Sequence, residues 1–252
     1  MIKSSNINIM SNAVLKASRA LRRDFNELEK LQNSLSKINI FVNKSLKNVK
    51  ETIFKELTKA RPEWKIFFFY DYEKVNVEIN EEKSFFLVNP ISGLSNFAKG
   101  ISYFAISITL INKGKQDATV IYDPIKDELF YAERGKGAYA NNFRMRISSN
   151  QDLQKSLLAF DSHELFIKDI KIFLKNKDIA SRVFGSISLD FANLASGRID
   201  CYISKIASNT FEPGLLLLKE AGGISSEMLN LDDIFFYSNN AISEIIKKSN
   251  IV

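Results

Sequence analysis

Residues 89–97 read NPISGLSNF, a Pro- and Gly-containing turn between an apolar run (Phe85 to Val88) and a long alternating run beginning at Ser102. Backbone N–H groups at Gly93, Leu94 and Ser95 are the natural donors for a phosphate oxygen in such a turn. A metal beside the phosphate would need charged oxygen ligands, and no side chain of this segment carries charge. Other chemistry is sparse. His163 belongs to no recognisable nucleophile motif and reads as a surface or turn residue. One histidine leaves few nitrogen ligands for zinc, and Cys201, the one cysteine, excludes an internal disulfide.

The elements that must position this turn belong to a chain of 252 residues, enough for one large domain or two small ones sharing an interface. At 45% hydrophobic and 25% charged residues it has the balance of a globular protein, and no apolar run is long enough to span a bilayer. The N-terminal stretch lacks a signal-peptide h-region, so the expected location is cytoplasmic. The net charge is +6, spread over Arg19, Arg22, Arg23, Lys44, Lys47, Lys50, Lys55, Lys59, Lys247 and Lys248. Such runs are usually solvated helix faces, and charge alone does not choose between RNA and an acidic protein as partner.

Ser11 is a candidate cap for a helix with Val14, Ser18, Leu21, Phe25 and Leu28 on one stripe. A second helix carries Leu46, Val49, Ile53 and Leu57 on one face and should stop near Arg61-Pro62. From Trp64 the pattern becomes β. IFFFYDY, SFFLVN, YFAISITLI and DATVIYD read as strands, the third as half-buried because Phe104, Ile106, Ile108 and Leu110 alternate with Ala105, Ser107 and Thr109. DELFYAERGKGAYANNF reads as two strands joined at Gly135–Gly137, followed by an Asn141-Asn142 turn. The second half predicts strands near 157–160, 180–183 and 199–203 and helices over 163–174, 188–196 and 241–248. PGLLLLKEAGGIS reads as a buried helix ended by Gly222-Gly223 and followed by a strand. Two lobes are expected, residues 1–150 with the N-terminal helices and a large antiparallel sheet, and residues 151–252 as a smaller α/β lobe.

Four stretches in order resemble the inositol monophosphatase family, and most closely its bacterial SuhB-type branch. Residues 89–97 resemble D-P-[IL]-D-G-T-T-N-F. IYDPIKDELFYAERGKGAYANN (121–142) resembles V-Y-D-P-x-x-x-E-L-F-x-A-x-R-G-x-G-A-x-x-N-G. GSISLDFANLASGRIDCY (185–202) resembles G-S-x-A-L-D-L-A-x-V-A-x-G-R-x-D-x-Y, and LLLLKEAGG (215–223) a C-terminal helix and turn. The resemblance implies an α/β (α+β) fold, a layered α-β-α-β-α sandwich, usually a dimer, with Mg²⁺-dependent hydrolysis of phosphate monoesters as the family chemistry.

The same resemblance implies that this chemistry has been lost. The aspartates of the D-P-x-D motif fall on Asn89 and Ser92, and the water-positioning threonine on Leu94. The two glutamates of the G-E-E motif fall on Phe69 and Tyr70. The second-helix aspartate falls on Leu46, the aspartate of W-D-x-A-A-G on Thr210, and the substrate-contacting glutamate on Ser204. No metal cofactor is therefore expected. Gly93, Gly185-Ser186, Asp190, Asp123-Pro124 and Arg134-Gly135 read as retained scaffold, with Asp190 capping or bonding locally. The expected function is a degenerate SuhB-like protein that binds RNA polymerase, a transcription factor or RNA. One alternative is a residual Mg²⁺-dependent inositol or sugar phosphatase using Asp71, Glu73, Glu212 or Asp200. Another is a binder that captures phosphate on the N–H groups of Gly93, Leu94 and Ser95 without cleaving it.

Overall fold

The computed structural model describes residues 3–28, 30, 34–69, 84–161, 179–207, 210–227 and 234–248. The expected helix over 163–174, with His163, and the candidate positions Tyr70, Asp71 and Glu73 lie outside them.

Helix α1 (Ser5–Leu28) buries Ile7, Met10, Val14, Ala17, Leu21, Phe25 and Leu28, an apolar stripe at three- and four-residue intervals. Its start is set by Ser4, whose hydroxyl accepts the Ile7 N–H at 3.3 Å. Ser11, the expected cap, is instead buried in mid-helix, and its Oγ has no partner among the described residues. Helix α2 (Leu35–Ala60) packs beside α1 through Ile38, Val42, Val49, Ile53 and Leu57. It ends where expected, with the Arg61 N–H donating to Leu57 O at 2.8 Å just before Pro62.

Both helices cover one face of a seven-stranded sheet in the order β1 to β7. Its strands are β1 (Lys65–Phe68), β2 (Ser84–Ser92), β3 (Ala105–Asn112), β4 (Lys115–Asp123), β5 (Glu128–Glu133), β6 (Gly137–Ala140) and β7 (Phe143–Arg144). β1 pairs in parallel with β2, and the rest form an antiparallel meander. Asn141 adopts the expected left-handed backbone at the β6–β7 turn, φ 52°. The strand read as half-buried is buried along its length except at Asn112. Its Ser107 and Thr109 face a second helical layer rather than water, which is why a polar alternation misleads here.

That layer is α4 (Ile187–Ala195) and α5 (Pro213–Glu220), whose Leu189, Ala192, Leu216 and Leu217 pack on Ala105, Ile121 and Phe130. On their far side Phe191 and Leu194 meet Tyr202 and Tyr237 of a second sheet. This five-stranded sheet runs β11-β12-β10-β8-β9, from β8 (Leu157–Phe160), β9 (Ala180–Arg182), β10 (Cys201–Ser204), β11 (Ile224–Glu227) and β12 (Phe235–Ser238). The FFYS run of β12 is not among the strands expected from the sequence. Helix α6 (Asn240–Lys248) closes the stack through Ile242 and Ile246. The layers alternate α-β-α-β-α.

Candidate functional site

β2 runs from the core into the turn at residues 89–97, and its pairing with β3 shifts register between Asn89 and Ser92. Gly93 follows at φ 91°, a left-handed conformation, and opens the short helix α3 (Leu94–Ala98). A Cβ added at Gly93 would lie 2.8 Å from Tyr103 O and 3.0 Å from Ser186 Cβ, so backbone angle and space both demand glycine. Asn96, in α3, donates from Nδ2 to Tyr103 O and Phe184 O, both at 2.8 Å, and ties the turn to the segment entering α4. Replacing Asn96 by Ala removes two bonds and strands two carbonyls, so chemical denaturation should report a loss of about 2 kcal/mol.

The hydroxyls of the turn face inward. Ser92 Oγ lies 3.1 Å from Ser186 Oγ and accepts the Ser188 N–H at 3.2 Å, so it satisfies one of the free donors in the first turn of α4. Ser186 Oγ bonds back to Ser92 O at 3.0 Å. Ser188 Oγ donates to Glu212 Oε1 at 3.2 Å and sits 3.4 Å from Ser107 Oγ. Ser107 is the β3 partner of Asn89 in the ladder, which puts both side chains on the same face of the sheet. Asn89 Oδ1 is buried with no donor among the described residues.

Glu212 stands at the residue before the first turn of α5 and is 4% exposed. Its carbonyl accepts Gln116 Nε2 at 2.7 Å. Burial pushes its carboxyl up to about 7, partly opposed by the Ser188 hydroxyl and the Gly214 N–H. Asp190 behaves alike, raised by burial to about 7 against the Tyr103 hydroxyl, which donates to its Oδ1 at 2.7 Å. Asp190 therefore does not bond locally, as the sequence suggested. It reaches a tyrosine in the loop between α3 and β3, and Asn193 Nδ2 donates to the same phenol at 3.0 Å.

The remaining candidate positions are spoken for. Phe69 packs into an aromatic cluster with Phe67, Phe85 and Phe211, beside Leu87 and Ile111. Leu46 and Leu94 pack against the main core. Thr210 Oγ1 donates to Ala207 O at 3.0 Å. Ser204 is fully buried and donates to Asp161 Oδ2 at 2.7 Å, which shapes the turn after β10. Asp200 accepts from Ser148 Oγ at 2.5 Å and Leu157 N at 2.8 Å, and it shares no bond with Glu212. Among the described residues no group of three His, Cys, Asp or Glu is placed to hold a metal.

The profile of the inositol monophosphatase family matches residues 3–232. The chain belongs to that family. It is 35% identical over 236 residues to an inositol-1-monophosphatase of Mesorhizobium japonicum, covering 90% of this chain and 87% of that protein. It is 32% identical over 228 residues to the Nus factor SuhB of Escherichia coli K12, covering 88% and 84%. The crystal structure of the extragenic suppressor protein SuhB from Bartonella henselae superposes with a TM-score of 0.77 at 30% identity, over 98% of this chain and 99% of that one.

The pairing of Ser188 with Glu212 escaped the sequence reading. The two residues lie 24 positions apart and bond at 3.2 Å, a contact that no local pattern announces. Asp123, by contrast, does what the family stretch implies: its Oδ1 accepts the Ile125 and Lys126 N–H groups at 2.8 and 3.0 Å and fixes the turn after β4.

Proposed function

We propose that this inositol monophosphatase-family chain is a catalytically silent, SuhB-like protein that works by binding, through contact with the transcription machinery. The observation that carries the silence is the donor set at the family's metal positions. Phe69, Asn89, Ser92 and Thr210 offer an aromatic ring, an amide and two hydroxyls. The carboxyl that the serines of the turn reach, Glu212, is already engaged by Ser188, and burial holds it toward its neutral form.

Magnesium, which the family implies, does not fit these residues. It demands near-octahedral oxygen coordination and is bound through carboxylates and phosphate oxygens. Neutral hydroxyls do not repay the loss of its tightly held water. A phosphate monoester without such assistance is among the slowest substrates to hydrolyse. The E. coli relative that shares 32% identity is named a Nus factor, which supports a role in the transcription machinery.

The test is hydrolysis of inositol 1-phosphate and a panel of sugar phosphates with Mg²⁺ or Mn²⁺, run beside capture of transcription components from the protein's own cells. No metal-stimulated turnover together with specific capture is the expected result. Turnover that a chelator abolishes would favour the residual phosphatase, the reading that the 35% identity to a named inositol-1-monophosphatase supports.

A further inference from the structure

Helix α2 turns Ile38, Val42, Ser45, Val49, Ile53 and Leu57 to the core. On the opposite pole of the same helix stand two large apolar side chains that touch no core, Ile40 at 70% exposure and Phe54 at 51%. With Lys47 between them they fall at seven-residue spacing, so the three form one nearly straight line along the helix. Lys37, Lys44 and Lys55 flank that line on one side. Lys37 and Lys55 are separated by about five full turns and so point the same way.

The basic groups here are lysines alone. Residues 35–60 contain six lysines, two glutamates and no arginine. Glu56 is engaged by Lys16 of α1 at 2.6 Å, and Glu51 lies 3.8 Å from Lys47. Lys37, Lys44 and Lys55 pair with no carboxylate among the described residues.

We propose that this outer face of α2 is a docking surface for an acidic amphipathic helix of a protein partner, a proposal that deepens the binding role above and rests on it. Two features choose protein over nucleic acid. Ile40 and Phe54, two heptads apart on one line, are anchor points that apolar side chains of a facing helix cover, whereas a phosphate backbone offers them nothing. The lysines flank that line as the charged positions of a paired helix do, where Glu and Asp of a partner would meet them. Recognition of phosphates and base edges favours the planar fork of arginine, which α2 lacks.

The probe is a labelled synthetic helix with leucines at heptad spacing flanked by glutamates, titrated into the full chain by fluorescence anisotropy. Wild type should bind it in a salt-sensitive manner. Lys44→Glu/Lys55→Glu and, separately, Phe54→Ser should each weaken it about tenfold or more, while Lys115→Glu, exposed on β4, should leave it unchanged. All substituted residues are solvent-exposed, and unchanged circular dichroism keeps folding out of the comparison. No binding by wild type, or equal binding by the Lys and Phe variants, overturns the proposal. So does binding of an RNA oligonucleotide or of anionic vesicles that falls with the lysines while the peptide is indifferent to Phe54. In the capture experiment, transcription components retained undiminished by Lys44→Glu/Lys55→Glu would place their contact elsewhere, overturn this surface and leave the proposed function standing. Capture of nothing by wild type would remove the proposed function, and the peptide titration would still judge the surface.

Discussion

Gly214→Ala should unfold this protein or leave it at the edge of folding. Gly214 lies in the first turn of α5, where it passes closest to Phe191 of α4. A methyl group built there would sit 2.1 Å from Phe191 Cβ and 2.4 Å from its Cγ. Those atoms are the fixed root of a fully buried side chain, not a flexible end that can swing aside. Phe191 is wedged edge-on between Tyr202 and Tyr237, with ring centroids at 5.0 and 4.9 Å. The only relief is to separate the two helices, which form the middle layer and pack on both sheets. Overpacking of this kind costs roughly 3 kcal/mol or more, a large part of a typical domain's stability. The check is the urea midpoint, or the soluble yield where none can be measured. Phe191→Leu introduced beside Gly214→Ala should recover little of the loss, because leucine keeps the Cβ and Cγ that the methyl group meets. An alanine variant as stable as wild type would mean that α4 and α5 do not approach as described.

Glu212→Gln should flatten the dependence of stability on pH and stabilise the protein above neutrality. The Glu212 carboxyl is raised by burial to about 7 in the folded chain, against an ordinary value of 4.5. A carboxyl raised on folding binds its proton more tightly in the folded state. Its contribution is therefore whole below pH ~4.5 and is lost as the pH rises through about 7, when a buried carboxylate must form. The shift corresponds to about 3 kcal/mol between the two ends of that window. Glutamine keeps the acceptor for Ser188 and has no proton to lose. Denaturation of wild type and variant at matched pH values from 5 to 8 should show the two curves diverging as pH rises, with the variant ahead at pH 8. Asp190, raised likewise to about 7, should give Asp190→Asn a similar trend. Parallel curves would show that Glu212 ionises as freely in the folded chain as in the unfolded one.

What the sequence disclosed and what it hid divide by the range of the contact. The β5–β6 hairpin, the Asn141 turn, the end of α2 at Arg61 and the helix of the PGLLLL stretch follow from neighbours in the chain, and all were legible. The start of α1 was not, because Ser4 and Ser11 both precede apolar residues at helical spacing and only packing decides between them. The strand carrying Ser107 and Thr109 looked half-solvated because hydroxyls facing a buried helix have the same pattern as hydroxyls facing water. At the candidate site, Pro90 and Gly93 marked a turn around Asn89 and Ser92, and Gly93 adopts the left-handed backbone there. The partners of those side chains were out of reach, since Ser92 meets residues 94 and 96 positions away. Ser204, buried on Asp161, and Asp190, bonded to Tyr103, were hidden for the same reason.

Ser92 is part of the scaffold here: its Oγ accepts the Ser188 N–H in the first turn of α4.

Titration of the purified chain with Mg²⁺ by calorimetry, with inorganic phosphate present, tests this account most directly. The donor set predicts no binding heat and no rise in melting temperature at millimolar metal, with or without phosphate. A saturable, chelator-reversible heat that disappears in Asn89→Ala or Ser92→Ala would contradict it.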